Sequence, residues 1–128
     1  MWLISAATLL SLIALSADRS EQGQQGRDTT RVDSLEVSVT AYCIKGETAS
    51  GVHTRRGIVA ADPDVLPLGT VIRLSELDHH NGRYVVRDTG REIKGNDVDI
   101  FMPDCDAARE FGRQQGRARI VRAAESTR

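Results

Sequence analysis

The sequence predicts an all-β domain, a small closed barrel or sandwich carrying one short helix. Three observations lead there. Residues 35–43, LEVSVTAYC, set Leu35, Val37, Val39, Ala41 and Cys43 against Glu36, Ser38, Thr40 and Tyr42. That is the period-two pattern of a half-buried strand. Further apolar runs of strand length follow, punctuated by Gly, Pro, Asn and Asp. Only residues 103–112 read as helix, too little to cover an open sheet. Closing the sheet into a barrel removes its exposed edges.

The elements follow in chain order. After the first strand, KGETASGVHTRRG (45–57) is polar and glycine-bearing, hence a loop. IVAAD (58–62) is a short strand ending on an acid. Pro63 and Pro67 then punctuate a turn, and Leu66–Gly69 leads into the strand TVIRLSEL (70–77). DHHNG (78–82) is a turn, with Asn81-Gly82 its strongest signal. RYVVRD (83–88) is a strand ending on an acid, TGREIKGN (89–96) a loop, and DVDIFM (97–102) a strand. The helix takes Asp104 as N-cap and Gly112 as its stop. RARIVRA (117–123) is the last strand.

The chain has 128 residues, enough for one domain, and a monomer is expected. Aromatic residues are 4% of the chain, so Val, Ile, Leu and Ala must build the core. The formal net charge of −1 gives no reason to expect nucleic-acid binding. Residues 1–17, MWLISAATLLSLIALSA, carry no charged side chain. The run matches a signal-peptide core in length and is short for a membrane span. The absence of an early Lys or Arg leaves a retained N-terminal membrane anchor as the alternative. Either reading exports the domain to the periplasm, cell envelope or exterior. Residues 18–34 are polar apart from Val32 and read as a flexible spacer. The domain is placed at 35–124, with a tail at 125–128. In an exported chain Cys43 and Cys105 are natural disulfide partners; two buried thiols are the alternative, and a metal pair a poorer one.

Three aspartates share one context. Asp62 ends IVAAD, Asp88 ends YVVRD, and Asp99 lies inside DVDIF. Neighbouring strands could gather them on one face. Partial burial and mutual repulsion would then raise the pKa of at least one, as a general acid needs. Against this, aspartate is a common turn residue because its side chain bonds nearby amides. Asp97 and Asp99 share a strand face, Asp97 reading as a solvated edge residue. Arg87 and Lys94 flank the acids, and Arg87 reads as surface charge. His53, His79 and His80 are few and lie in loops, so no metal site is expected. No cofactor is expected either.

The motifs VTAYC, TASG, RGIVAADPDVLPLGTVIRL, YVVRDTGREIKGNDVDIFMPDC and AAREFG occur in that order. Together they resemble the 3D domain, named for its three aspartates and related to the catalytic barrel of membrane-bound lytic transglycosylase A. The resemblance covers about residues 37–123. It implies a six-stranded double-psi β-barrel and a peptidoglycan substrate cut between N-acetylmuramic acid and N-acetylglucosamine. It makes Asp99 the catalytic acid/base, with Asp88 and Asp62 positioning it or the sugar. Thr40, Tyr42, Ser50, Gly51, Thr89 and Lys94 fall in matching motifs and are candidates for lining the groove. The chain departs from the pattern at Gly90-Arg91, where two glycines are common, and in a longer turn around Glu76–Gly82. The rival readings are a non-catalytic glycan-binding module, a glycan hydrolase, and an accessory domain acting with a separate wall-cleaving enzyme.

Overall fold

The computed structural model describes residues 34–125. The expected signal or anchor at 1–17, the spacer up to residue 33 and the tail beyond 125 lie outside the described residues. Six strands and one helix follow in order: β1 Ser34–Tyr42, β2 Ile58–Ala61, β3 Val71–Ser75, β4 Gly82–Asp88, β5 Asp97–Phe101, α1 Cys105–Phe111 and β6 Gln114–Arg122. The strands close into one barrel in the ring order β1-β5-β2-β4-β3-β6. The pairs β1–β5 and β2–β4 are parallel and the other four are antiparallel.

Alternation along each strand sorts the side chains. Val37 and Val39 of β1, Val59 and Ala61 of β2, Ile72 and Leu74 of β3, Tyr84 and Val86 of β4, and Val98 and Ile100 of β5 fill the interior. Short β-branched and aliphatic residues suit a narrow barrel lumen, and the scarcity of aromatics is no handicap there. The other parity faces outward. Ser38, Thr40 and Tyr42 stand beside Asp97, Asp99 and Phe101 in the β1–β5 register.

Two differences from the sequence reading have physical causes. β6 starts at Gln114 rather than at Arg117, because two glutamines and a glycine give no apolar alternation to read. Gly116 is required there: a Cβ would lie 2.7 Å from Leu77 Cδ2 and 3.0 Å from the Ser75 carbonyl oxygen. The Asn81-Gly82 pair does not form a two-residue hairpin turn. Gly82 already belongs to β4, and Glu76 and His80 take the positive-φ positions of a longer loop. Asn81 closes that loop with its side chain, accepting from Leu77 N at 2.9 Å and donating to Leu77 O at 2.9 Å.

Asp104 caps α1 as expected, accepting from Asp106 N at 2.9 Å and Ala107 N at 3.3 Å. The first helical residue, Cys105, is disulfide-bonded to Cys43 just beyond β1. The helix is therefore tied to the strand end that carries Tyr42. The bridge spans 62 residues, and constraining that loop in the unfolded chain is worth about 4 kcal/mol. Reduction is expected to lower the free energy of unfolding by that amount, and the urea midpoint with it, at unchanged secondary structure. Gly116→Ala is expected to cost about 1–3 kcal/mol through overpacking against Leu77. Urea titrations followed by circular dichroism check both.

Candidate active site

The site is built on one row of residues across the outer face of four neighbouring strands. Thr40 of β1 is in register with Asp99 of β5, Asp99 with Ala60 of β2, and Ala60 with Asp88 of β4. Plain alternation would not give this row. Tyr84 and Val86 point inward, so Asp88 should point inward too. The β2–β4 register slips between Val59 and Ala60, pairing Val59 with Val86 but Ala60 with Asp88. Arg87 is thus the extra residue of a β-bulge, and the bulge turns Asp88 to the outside. Ala60 lies between the two aspartates, 2% exposed and with no side chain long enough to fill the gap.

The bulge frees backbone groups of β4, and the 46–54 loop uses them. Ser50 N donates to Arg87 O at 3.0 Å. Ala49 N donates to Asp88 Oδ1 at 3.0 Å, and Thr89 N donates to the same oxygen at 2.9 Å. Tyr42 Oη donates to Asp88 Oδ2 at 3.2 Å, while its ring packs edge-on against Phe101 at 5.4 Å. The loop is closed on itself by Thr48 N to Val52 O and Thr54 N to Gly46 O, with Gly51 at φ 90° in its turn. Asp88 is thereby held by three donors from three segments.

Asp99 has a different environment. It is half-buried and accepts one side-chain bond, from Thr40 Oγ1 at 3.0 Å. Burial pushes its pKa above the ordinary carboxylate value. The Thr40 bond and the positive charge of Arg113 pull the other way, and the charge of Asp88 adds a smaller upward push. Arg113 reaches over β1 and donates to Ser38 Oγ at 2.6 Å. Burial and Asp88 also push the Tyr42 phenol far above its usual range, so Tyr42 stays a donor.

Asp62 does not line the cavity that Asp88 and Asp99 share. It is 7% exposed and accepts from Gly95 N at 2.8 Å and Asp64 N at 2.9 Å. These amides, the Gly95 one foremost, hold its carboxyl below the ordinary value, and Lys94 adds to the effect. Asp62 latches the end of β2 to the loop that launches β5, two residues before Asp97.

Tyr42, Ala60, Asp88, Thr89, Gly90 and Asp99 line a cavity of about 270 Å³ with Ile93 and the 44–47 segment. Thr40 touches it through Asp99. Ser50 and Gly51 lie behind Asp88 in the supporting loop, and Lys94 lies beside Asp62; none of the three lines the cavity. The sequence reading missed Ile44, Lys45, Gly46, Glu47 and Thr54 on the rim, along with Ala60 and Ile93. Ile44, 77% exposed, was the available signal: an isoleucine opening a polar loop. Arg113, rather than Arg87 or Lys94, is the cation that acts on Asp99.

The opposite shifts of Asp62 and Asp99 give stability effects of opposite sign. Both ionise near about 3.9 in the unfolded chain. Asp62 binds its proton less tightly when folded. Its contribution is full above the unfolded pKa and is lost as pH falls through the lower folded one. Asp99 binds its proton more tightly when folded. Its ionised form therefore weakens the fold, increasingly as pH rises through that window, and the penalty is absent below the unfolded pKa. Asp62→Asn is expected to lower the urea midpoint at neutral pH. Asp99→Asn is expected to hold or raise it. Both differences should shrink toward about pH 3, as parallel titrations at the two pH values will show.

Comparison with known proteins agrees with this architecture. The chain is 31% identical over 108 residues to the cell wall-binding protein YocH of Bacillus subtilis, covering 76% of this chain and 36% of that protein. The chain spans only 23–41% of the length of the curated relatives it matches. Among solved structures, the lytic transglycosylase MltA of Escherichia coli superposes with a TM-score of 0.52 at 26% identity, covering 66% of this chain and 29% of that one. The Streptomyces papain inhibitor superposes with a TM-score of 0.52 at 20% identity, covering 72% of this chain and 98% of that one, a likeness of fold alone. Residues 57–122, which hold all three aspartates and five of the six strands in whole or in their greater part, match the 3D domain, and the chain belongs to that family.

Proposed function

We propose that this domain cleaves the glycan strands of peptidoglycan between N-acetylmuramic acid and N-acetylglucosamine as a lytic transglycosylase. The observation that carries the reading is the pairing of Asp99 with Asp88 across Ala60. One carboxyl group holds its proton more tightly than an ordinary carboxyl, and the other is fixed by three donors on the same cavity. Two carboxyl groups in unlike environments are what glycosidic bond cleavage uses. The likeness to MltA supports the same reading. The parallel pairs β1–β5 and β2–β4 support the double-psi description of the barrel.

Asp99 donates its proton to the glycosidic oxygen as the C1–O bond breaks. Positive charge develops at C1 of the muramic acid, and the carboxylate of Asp88 offsets it. The Asp99 carboxylate then takes the proton of the C6 hydroxyl. That oxygen closes on C1, giving a 1,6-anhydro sugar and returning Asp99 to its starting form. No water is consumed, so one acid/base group serves both steps. Thr40 orients Asp99, and Asp62 holds the β5 entry that places it. Tyr42 and Thr89 fix Asp88 through their donors. Ser50 and Gly51 support Asp88 from behind, and Lys94 tunes the Asp62 latch. The cavity sits near the low end of the range for small-molecule sites, about 300–1,000 Å³, which suits the reacting sugar more than a long glycan.

The second reading is a non-catalytic wall-binding module, and the name of YocH favours it. Mass spectrometry of digested sacculi separates the two. Anhydro-ended muropeptides are expected from the wild type, and Asp99→Asn is expected to lose about 10²–10⁴-fold in rate while still binding sacculi. Ends carrying the extra mass of water would indicate a hydrolase, and release of no fragments would leave the binding module. Activity should fall as pH rises past the Asp99 pKa. Arg113→Gln removes a cation that favours the charged form, so its fall is expected at higher pH than in wild type.

A further inference from the structure

Ile44 and Lys45 stand between two fixed points of the chain. Cys43, before them, is bonded to Cys105 at the start of α1. Gly46, after them, is tied to Thr54 in both directions. Gly46 N donates to Thr54 Oγ1 at 3.1 Å, and Thr54 N donates to Gly46 O at 2.9 Å. The backbone of this short stretch is therefore held while both of its side chains stay exposed. Both line the cavity of Asp88 and Asp99.

Neither side chain is engaged within the domain. Ile44 is 77% exposed, against 41% for Val121, the other exposed large hydrophobic among the described residues. An isoleucine held in water on a cavity rim is apolar surface for a ligand to cover. Lys45 is the cation among the described residues that line the cavity, and it forms no ion pair with a described residue. The carboxyl groups on the same cavity are occupied otherwise. Glu47 turns toward Gly51, its Oε1 3.9 Å from where a Cβ would stand. Asp88 is held by Tyr42 Oη, Ala49 N and Thr89 N, and the cation that acts on Asp99 is Arg113. An anionic group on an entering ligand is repelled by Asp88 and attracted by Lys45, so it is steered to the rim beside Ile44.

We infer, on the glycan reading of the cavity, that Ile44 and Lys45 select the substrate by recognising a carboxylate carried beside a methyl group. N-acetylmuramic acid carries that pair on its lactyl ether, and N-acetylglucosamine does not. Ile44 packs on the methyl group, and the Lys45 ammonium takes the carboxylate. Where the lactyl carboxyl is joined to a peptide, the alanine methyl and the next residue's carboxylate present the same chemistry. The glycan has two alternating glycosidic bonds. Holding the muramic acid at this rim decides which of them meets Asp99.

The test measures binding by the full-length Asp99→Asn chain, so that turnover does not interfere. Three soluble ligands are titrated by calorimetry: N-acetylglucosaminyl-N-acetylmuramic acid, its alanyl-isoglutamine conjugate, and di-N-acetylchitobiose, which has no carboxylate. A muramyl ligand is expected to bind about tenfold tighter than chitobiose, and less so at high salt. The tighter of the two muramyl ligands identifies the carboxylate as that of the lactyl ether or of the peptide. Adding Lys45→Gln is expected to remove about fivefold of the preference together with its salt dependence. Lys45→Arg keeps most of both. Ile44→Ser is expected to remove about threefold and to leave the salt dependence in place. Both side chains are exposed, so the urea midpoint should stay that of the parent chain in each variant. Equal affinity for the three ligands, or a preference that survives Lys45→Gln, would overturn the proposal and leave a glycan site. Binding of none of them would overturn it together with the glycan reading.

Discussion

The extra residue in β4 is the constraint on which the site depends. A regular strand through Tyr84 and Val86 would turn Asp88 into the apolar lumen. There a carboxylate has no partner and costs several kcal/mol. The bulge at Arg87 reverses the alternation after Val86 and sets Asp88 beside Ala60 on the outer face. It also leaves the Arg87 carbonyl outside the ladder, and a buried backbone acceptor has to be satisfied somewhere. The 46–54 loop satisfies it through Ser50 N and in the same approach delivers Ala49 N to Asp88. One irregularity of the sheet thus aims the side chain, docks the loop and begins the cavity wall.

The three aspartates that stand beside apolar strands in the sequence do three different physical things. Asp62 accepts backbone amides and behaves as a structural anion, with its proton held weakly. Asp88 is clamped by donors from β1, the 46–54 loop and its own neighbour. Asp99 alone combines burial with a single side-chain donor, so its proton is held more tightly. The shift of Asp99 comes first from burial, not from crowding of carboxylates. Asp62 and Asp99 differ in proton affinity because backbone amides dominate at the first and burial at the second.

Much of the barrel was legible because its strands alternate cleanly and its helix opens on an aspartate cap. Leu35–Cys43 and Asp97–Met102 show their two faces in the sequence itself. The site was legible only as residue types. Asp88 was visible as an acid at a strand end and Asp99 as one inside a strand, but their meeting depends on a register slip that no local pattern encodes. Arg87 reads as one more strand residue in YVVRD. The start of β6 was hidden because Gly116 is there for its lack of a side chain beneath Leu77, and a missing side chain has no hydrophobic signature. The Asn81-Gly82 signal pointed to a real reversal, yet the Asn81 side chain closes a longer loop than the dipeptide suggests. Asp62 was grouped with the others by its position after a strand, although its role follows from an amide 33 residues away.

The same barrel occurs in a transglycosylase and in a papain inhibitor, so closure of six strands does not set the chemistry. In this chain function is left to the outer surface, because the lumen is filled by apolar side chains. A filled lumen leaves every strand only its outward parity for function, and the ring order divides that surface. In this chain one arc, β1-β5-β2-β4, carries hydroxyls, carboxyl groups and a small central alanine. The remaining arc carries guanidinium groups in direct register, Arg73 of β3 with Arg119 of β6. Arg113, the cation among the described residues that acts on Asp99, comes from the turn between α1 and β6, not from a strand row. The raised proton affinity of Asp99 therefore rests on its burial among the strands, which the Thr40 bond and the Arg113 charge reduce but do not cancel.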